Sequence, residues 1–577
     1  MLTRLLDWAR ENGAELREGL LEYGYDDVHG YHVKVRDIDG LFEHKDVIRV
    51  PKKLFITKEL AQSYFKVEDP EKKFNDNPNA LTQFFLSYVT YSQGNEYQGF
   101  FQPYTDILPS IGSLATHPFF WDTRALQHIK GSDLFLTIKE KLVGLCDEFV
   151  QYSKLYGFAG DEHLPTIDSR ENDDQFYKLV DYIQTQKSNV NGLKWDSFVA
   201  YLWSSIIFLS RAFPSIVTGE DKKELNLAFL LPIVDLLNHN NDSKVKWSYS
   251  DDEFIFHSQD LVYLKNGDEL FNNYGDKTNM DFLLSYGFIN ERENLHNSVN
   301  LTLKLNADFL QSAKEFIPNL NVVNTDSVTF KITKKDPLPQ NLVKFFGYIT
   351  KLRSEDQITV RAMLEGTDQL DDILRKKQEF TKMKTKTSGL DPEISKIIKQ
   401  YFNEEKKLFQ YSLETVAKNQ KGLLTAAKDN IVSFKTIFKS DKVFANSLLL
   451  AYGVTKFDDL IAKDCVNEAI LLWIVRAANK ESYGKTMNSV NIPQFIIDTF
   501  HYIAGSIVVE KEDVSSFLPL YKKLFPNLAT KIPEVYKVGD WGIKQFIIAD
   551  TLVDRLVWIR KTSNEPLFIQ KTACELK

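Results

Sequence analysis

Segments that alternate apolar and polar residues stand on both sides of a long block of helical periodicity, and that arrangement limits the possible folds most. Tyr31–Arg36 reads YHVKVR, and Val47–Thr57 repeats the alternation around Pro51, the period-two pattern of half-buried strands. From about Leu81 to Phe213 the pattern turns helical. Leu134–Phe158, Asp174–Gln186 and Trp195–Phe213 carry apolar residues at i, i+3 and i+4. Strands and connections return at Leu227–Asn238, Val245–Tyr249 and Glu253–His257, with Ser250-Asp251-Asp252 as a hairpin turn. The simplest chain path is a β-rich domain interrupted by a helical insertion over about residues 60–213.

Beyond about Asn300 the pattern is mostly helical, with candidates at Glu393–Asn419, Cys465–Ala478, Ile492–Ile507 and Trp541–Arg560. Arg375–Gly389 is charged and reads as a loop or an exposed helix end. Its six cations over Arg375–Lys386 suit a solvated surface, with contact to RNA or an acidic partner as the lesser reading. Domains usually hold ~100–200 residues, so 577 residues need more than one core. A boundary near residue 300 gives a domain over 1–299 and a helical one over 300–577. The fold class expected is α+β.

A net charge of −8 argues against a general nucleic-acid reader and suits a basic protein partner. The three cysteines, Cys146, Cys465 and Cys574, are far apart, and the ten histidines are scattered. Neither a disulfide framework nor a metal site is expected. The start, MLTRLLDWARENGAE, has no apolar signal core and carries Asp7, Glu11 and Glu15, so no targeting segment is expected. Ser197–Ser210 is apolar over 14 residues, short of the ~20 that span a bilayer. It reads as a buried core helix.

Three segments carry the chemistry: Ser210-Arg211-Ala212-Phe213; Leu230–Trp247, LLPIVDLLNHNNDSKVKW; and Gly267–Ile289, GDELFNNYGDKTNMDFLLSYGFI. In the second, an apolar run around a single Asp235 ends abruptly at Asn238-His239-Asn240-Asn241. Alone, this reads as an asparagine-rich turn. In the third, Tyr274-Gly275 is followed twelve residues later by Tyr286-Gly287-Phe288. Alone, these read as turn and core tyrosines.

Taken in order, SRAF, DLLNH, NNYG and SYGF resemble the SET-domain protein methyltransferases. The likeness is to the branch typified by the Rubisco large-subunit lysine methyltransferase, and within it to the fungal ribosomal lysine methyltransferases. The resemblance implies a SET domain split by a helical insertion, then a helical domain that holds the protein substrate. It implies S-adenosyl-L-methionine as methyl donor. Tyr274 corresponds to the catalytic tyrosine, while Tyr286 and Phe288 wall the substrate-lysine channel. Arg211, Asn238 and His239 hold the cofactor, Arg211 at its carboxylate. Arg211 also reads as a helix-terminal cation. Gly40 is the sole survivor of the family's N-terminal GxG, which stands here within Asp37–Phe42, so cofactor contact there is in doubt. The function implied is lysine methylation, with a large-subunit ribosomal protein as leading substrate. Elongation factor 1A, cytochrome c or a histidine of another protein are alternatives, as is an inactive SET-fold binding module. A cytoplasmic monomer is expected, with the nucleus as a second location and no membrane partner.

Overall fold

The computed structural model describes residues 1–27, 29–36, 46–68, 77–92, 94, 96–189, 192–219, 226–289, 293–487 and 490–574. Gly40 lies outside them. The chain forms two compact units, one of Met1–Ser298 with Thr381–Glu404, the other of Val299–Phe380 with Glu405–Lys577.

The first unit opens with helix Leu2–Glu11. Strands β1 (Leu21–Asp26) and β2 (Gly30–Val35) pair antiparallel, Leu21 opposite Val35. β3 (Asp46–Pro51) precedes the helices, and β4 (Ala212–Pro214) and β5 (Ala228–Leu230) follow them as a pair. β6 (Val245–Ser250) and β7 (Glu253–Ser258) complete a three-stranded sheet of order β3-β7-β6. Asp251 and Asp252 both take left-handed φ, 54° and 57°, as a tight hairpin turn requires. Across this sheet Ser248 Oγ lies 2.6 Å from His257 Nε2, and His257 Nδ1 lies 2.6 Å from Asp46.

Among the described residues, seven α-helices run from Lys58 to Arg211 between β3 and β4. Their ends are set by caps. Ser132 accepts from Phe135 N at 3.2 Å to start Asp133–Tyr156, and Gly157 ends it at φ 70°. Ser197 starts the apolar helix Phe198–Arg211, in which every residue from Phe198 to Phe208 is buried. Ser87, on helix Ala80–Tyr91, donates to Ala200 O at 2.9 Å. This is a core helix, as its length implied. No helix among the described residues is long and apolar enough to cross a membrane. Ile394, Ile398, Tyr401 and Phe402 join the same core.

The second unit is mainly helical but also contains two three-stranded sheets that the periodicity did not reveal. One is β8 (Ser298–Lys304), β9 (Val322–Val323) and β10 (Ser327–Thr333) in the order β8-β10-β9. The other is β11 (Ile431–Ser433), β12 (Val557–Arg560) and β13 (Glu565–Ile569) in the order β11-β13-β12. The helix expected over Trp541–Arg560 therefore runs only from Ile543 to Leu556, and its last four residues are β12. The charged run from Arg375 continues as helix to Lys384 before it turns, where a loop was one expectation. The Lys384 amine donates to His128 O at 2.8 Å, so that cation is held within the first unit.

Candidate functional site

The site begins at Ile233, a β-branched residue held at φ 77°, ψ −55°. That is the classic γ-turn, rare and strained. Its side chain is fully buried, which anchors the turn. The turn leads into Val234–Leu236, with the Asp235 side chain at 0% exposure. The chain then extends beside a second segment. Asn272 N donates to Asn238 O at 2.7 Å, and Asn240 N donates to Asn272 O at 2.9 Å. His239 and Asn272 thus make a parallel bridge. In that pairing the bonds come from the residues flanking His239. Its own N–H and C=O therefore face away from Asn272 and offer a ligand one donor and one acceptor.

Asn238 turns its amide inward. Nδ2 donates to His29 O at 3.0 Å, Tyr31 O at 3.2 Å and Glu269 Oε1 at 2.8 Å. The Nδ2 donors are thereby committed to the β1-β2 hairpin and Glu269, leaving Oδ1 as what this side chain can offer a ligand.

Three rings form a column. His239 stacks on Tyr274 at 4.9 Å and 19°, and Tyr274 on Tyr286 at 4.9 Å and 8°. Tyr274 donates its hydroxyl hydrogen to Leu237 O at 2.7 Å, and its backbone N–H to His239 Nδ1 at 2.9 Å. His239 Nε2 donates to Asn241 Oδ1. These partners fix the neutral tautomer, and burial depresses the imidazole's pKa below its ordinary value. Burial raises the Tyr274 and Tyr286 hydroxyls well above the ordinary phenol value. Phe288, 42% exposed, stacks on Phe282 and lies 6.0 Å from Tyr286. The Lys277 ammonium sits 5.9 Å from the Tyr286 ring centre, so that ring face already accepts a cation.

Arg211 closes the buried helix. Its Nη1 donates to Asp235 O and to Asp235 Oδ2, each at 3.1 Å. Tyr104 donates to the same Oδ2 at 2.8 Å. Among the described residues, Asp235 Oδ1 is buried without a hydrogen-bond partner. Burial raises the Asp235 pKa, while Arg211 and then Tyr104 oppose that shift.

Arg211, Asn238, His239, Tyr274, Tyr286 and Phe288 thus lie in one connected group. Asp235, Tyr104 and Leu237 O were absent from the sequence-level set. Asp235 carried a signal, as the one charge in an apolar run. Tyr104 carried none, because it lies 107 positions before Arg211 in a helix of ordinary composition.

Residues 298–427 match the EFM1 middle domain family. The chain is 39% identical to "Protein-lysine N-methyltransferase EFM1" of Saccharomyces cerevisiae, covering 100% of this chain and 99% of that protein. It is 27% identical to "Ribosomal lysine N-methyltransferase 1" of the same organism, over 84% of this chain and 87% of that one. In structure it is similar to the SET domain of LSMT solved with methyllysine and AdoHcy, at TM-score 0.50 and 17% identity, covering 73% of this chain and 92% of that one.

The fold is that of the SET-domain proteins, with a helical C-terminal region. Within that class, the chain belongs to the family of protein-lysine N-methyltransferases that includes yeast EFM1, and it is an enzyme of that activity.

Proposed function

We propose that S-adenosyl-L-methionine binds where the Leu237–Asn240 and Asn272–Tyr274 segments meet. The residues fit it. The outward N–H and C=O of His239 match the donor and acceptor edge of adenine. Arg211 keeps its other N–H groups unclaimed among the described residues and offers a cation to the carboxylate. The donor supplies an electrophilic methyl group on a sulfonium sulfur, and its loss leaves a neutral thioether.

The acceptor is a lysine amine, charged at neutral pH because its ordinary pKa is ~10.4. Desolvation between Tyr286 and Phe288 and the positive charge of the donor's sulfonium disfavour the ammonium against the attraction of the ring faces, and its proton passes to water. The Tyr274 hydroxyl, held by Leu237 O, sets a fixed dipole beside the reacting centre, and His239 stays neutral as a strut. The work is positioning and electrostatics. The observation that carries this reading is the anchored Tyr274 at the middle of the ring column.

The substrate we infer is a component of translation. A chain of net charge −8 suits a basic partner. Identity is 39% to EFM1 against 27% to the ribosomal enzyme of the same organism. The name of the second relative carries a ribosomal substrate, which supports a large-subunit ribosomal protein with elongation factor 1A as the alternative, and either substrate is met in the cytoplasm. Residues 300–577 hold this substrate. The test is transfer of labelled methyl groups into lysate from cells lacking the enzyme, followed by mass spectrometry of labelled proteins. A labelled lysine on a large-subunit ribosomal protein supports the reading. Label on elongation factor 1A favours the alternative, and no label at all counts against activity on translation components.

A further inference from the structure

We propose that Tyr104, from the helical insertion, is a positioning residue for the methyl donor: it holds Asp235 so that Arg211 keeps charge for the donor's carboxylate. This rests on the reading of Arg211 given above.

A buried arginine beside a buried carboxylate normally closes into a fork, with two nitrogens on two oxygens. That closure is absent here. Only Nη1 of Arg211 engages Asp235, and it divides itself between the main-chain oxygen and Oδ2. Oδ1 is left without a partner in a fully buried position. The third group in contact is Tyr104, whose hydroxyl donates to Oδ2 at 2.8 Å. Tyr104 is itself 0% exposed. Its helix, Glu96–Thr105, fixes it from outside the strands that build the site.

The tyrosine hydrogen bond meets part of the carboxylate's demand for a donor at Oδ2. Without it, among the described residues the guanidinium is the remaining side-chain donor to a desolvated carboxylate. Arg211 would swing into the fork, and its charge would be spent inside the protein. The carboxylate of a ligand would then meet a neutralised pair. The effect should be confined to ligands that carry that carboxylate.

The experiment compares two ligands by calorimetry. S-adenosylhomocysteine has the amino-acid end, and 5′-methylthioadenosine shares the nucleoside and thioether but lacks it. Tyr104→Phe should weaken S-adenosylhomocysteine about ten-fold, the scale of one charge-assisted hydrogen bond, and leave methylthioadenosine unchanged. In turnover the change should fall on KM for the methyl donor and not on kcat. Arg211→Ala should abolish the preference for S-adenosylhomocysteine, and adding Tyr104→Phe to it should do nothing more.

If Arg211→Ala leaves the preference intact, the reading of Arg211 is wrong and the proposal falls with it. If Arg211→Ala lowers the preference but Tyr104→Phe does not, the proposal alone is wrong. Equal weakening of both ligands by Tyr104→Phe would mean a merely structural role and would also overturn it. Should Tyr104→Phe not fold, 3,5-difluorotyrosine at position 104 keeps the ring and strengthens the donor. The preference should then equal or exceed that of the unmodified chain, and a fall would refute the proposal.

Discussion

His239 and Tyr274 are joined twice: the tyrosine backbone N–H donates to the imidazole Nδ1 at 2.9 Å, and the two rings stack at 4.9 Å. The histidine accepts on one nitrogen and donates from the other, so it is spoken for as a general base. On the proposed reading, the catalytic hydroxyl is that of Tyr274.

Tyr274→Phe should therefore lower methyl transfer by roughly 10²-fold or more, about 3 kcal/mol in the barrier. The ring keeps its place between His239 and Tyr286. The lost bond to Leu237 O should cost about 1 kcal/mol of stability. Steady-state rates, calorimetry with S-adenosylhomocysteine and thermal melts check the three parts. Full activity would shift the role to Tyr286.

Glu148 is buried in the insertion, and burial raises its carboxyl to about 7. Tyr201 and Asn77 both donate to Oε1, the amide at 2.7 Å. Its folded pKa exceeds its unfolded value of ~4.3. The folded state therefore binds the extra proton, and this stability is full below about pH 4.3 and lost as pH rises through about 7. Glu148→Gln keeps the acceptor and removes the charge. It should raise the melting temperature at pH 8 and change little at pH 5.

His117 works in the opposite sense. It is buried, donates from Nε2 to Leu284 O at 3.1 Å, and burial pushes it down to about 3. The unfolded imidazole, at ~6.5, takes up a proton that the folded one refuses. Stability should fall as pH drops from about 6.5 towards 3. Melts of His117→Gln over pH 4–7 should show a shallower decline than those of the unchanged chain.

In the second unit Asp441 and Arg476 form a two-pronged pair at 3.0 and 3.3 Å, with side chains 0% and 1% exposed. Asp441 also caps helix Lys442–Tyr452. Asp441→Ala leaves a buried guanidinium over the Tyr483 ring, 4.5 Å away, without its carboxylate, and should cost about 3–5 kcal/mol. Urea unfolding measures it. Replacing both residues by apolar ones of similar size should cost less than the single change.

Gly366 lies inside helix Val360–Lys384, where alanine usually gains about 1 kcal/mol over glycine. Here a Cβ would come within 2.5 Å of the Phe346 carbonyl group. Overpacking of that kind costs about 1–3 kcal/mol, and backbone cannot move aside as a side chain can. Gly366→Ala should therefore destabilise, as a fall in the urea midpoint would show.

Of the strands that frame the site, β2 and β3 were legible because apolar and polar residues alternate along them, whereas β1 was not read from the sequence. The Asp251-Asp252 turn and the apolar helix after Ser197 were legible for equally local reasons. β11 to β13 were not, because Ile431–Ser433 and Val557–Arg560 are too short to show a period, and the latter continues a helix without a break in hydropathy. In the site, motif order found Arg211, His239 and Tyr274. It could not find Tyr104, whose meaning comes only from the carboxylate it meets 131 positions away. Nor could it foresee that Asn238 spends its amide on the β1-β2 hairpin.

The core of the first unit borrows Ile394, Ile398, Tyr401 and Phe402 from beyond residue 298. The ribosome adds residues one at a time, at ~5–20 per second. When Phe288 has emerged, all the site residues exist, yet four apolar side chains that seal their unit have not been made. More than a hundred residues of synthesis separate the two events. A nascent chain stalled in that interval carries every chemical group for methyl transfer around an open core. Activity should consequently begin only after residue 404 has cleared the exit tunnel, and a fragment cut at residue 300 should behave as an aggregation-prone intermediate and not as a minimal enzyme.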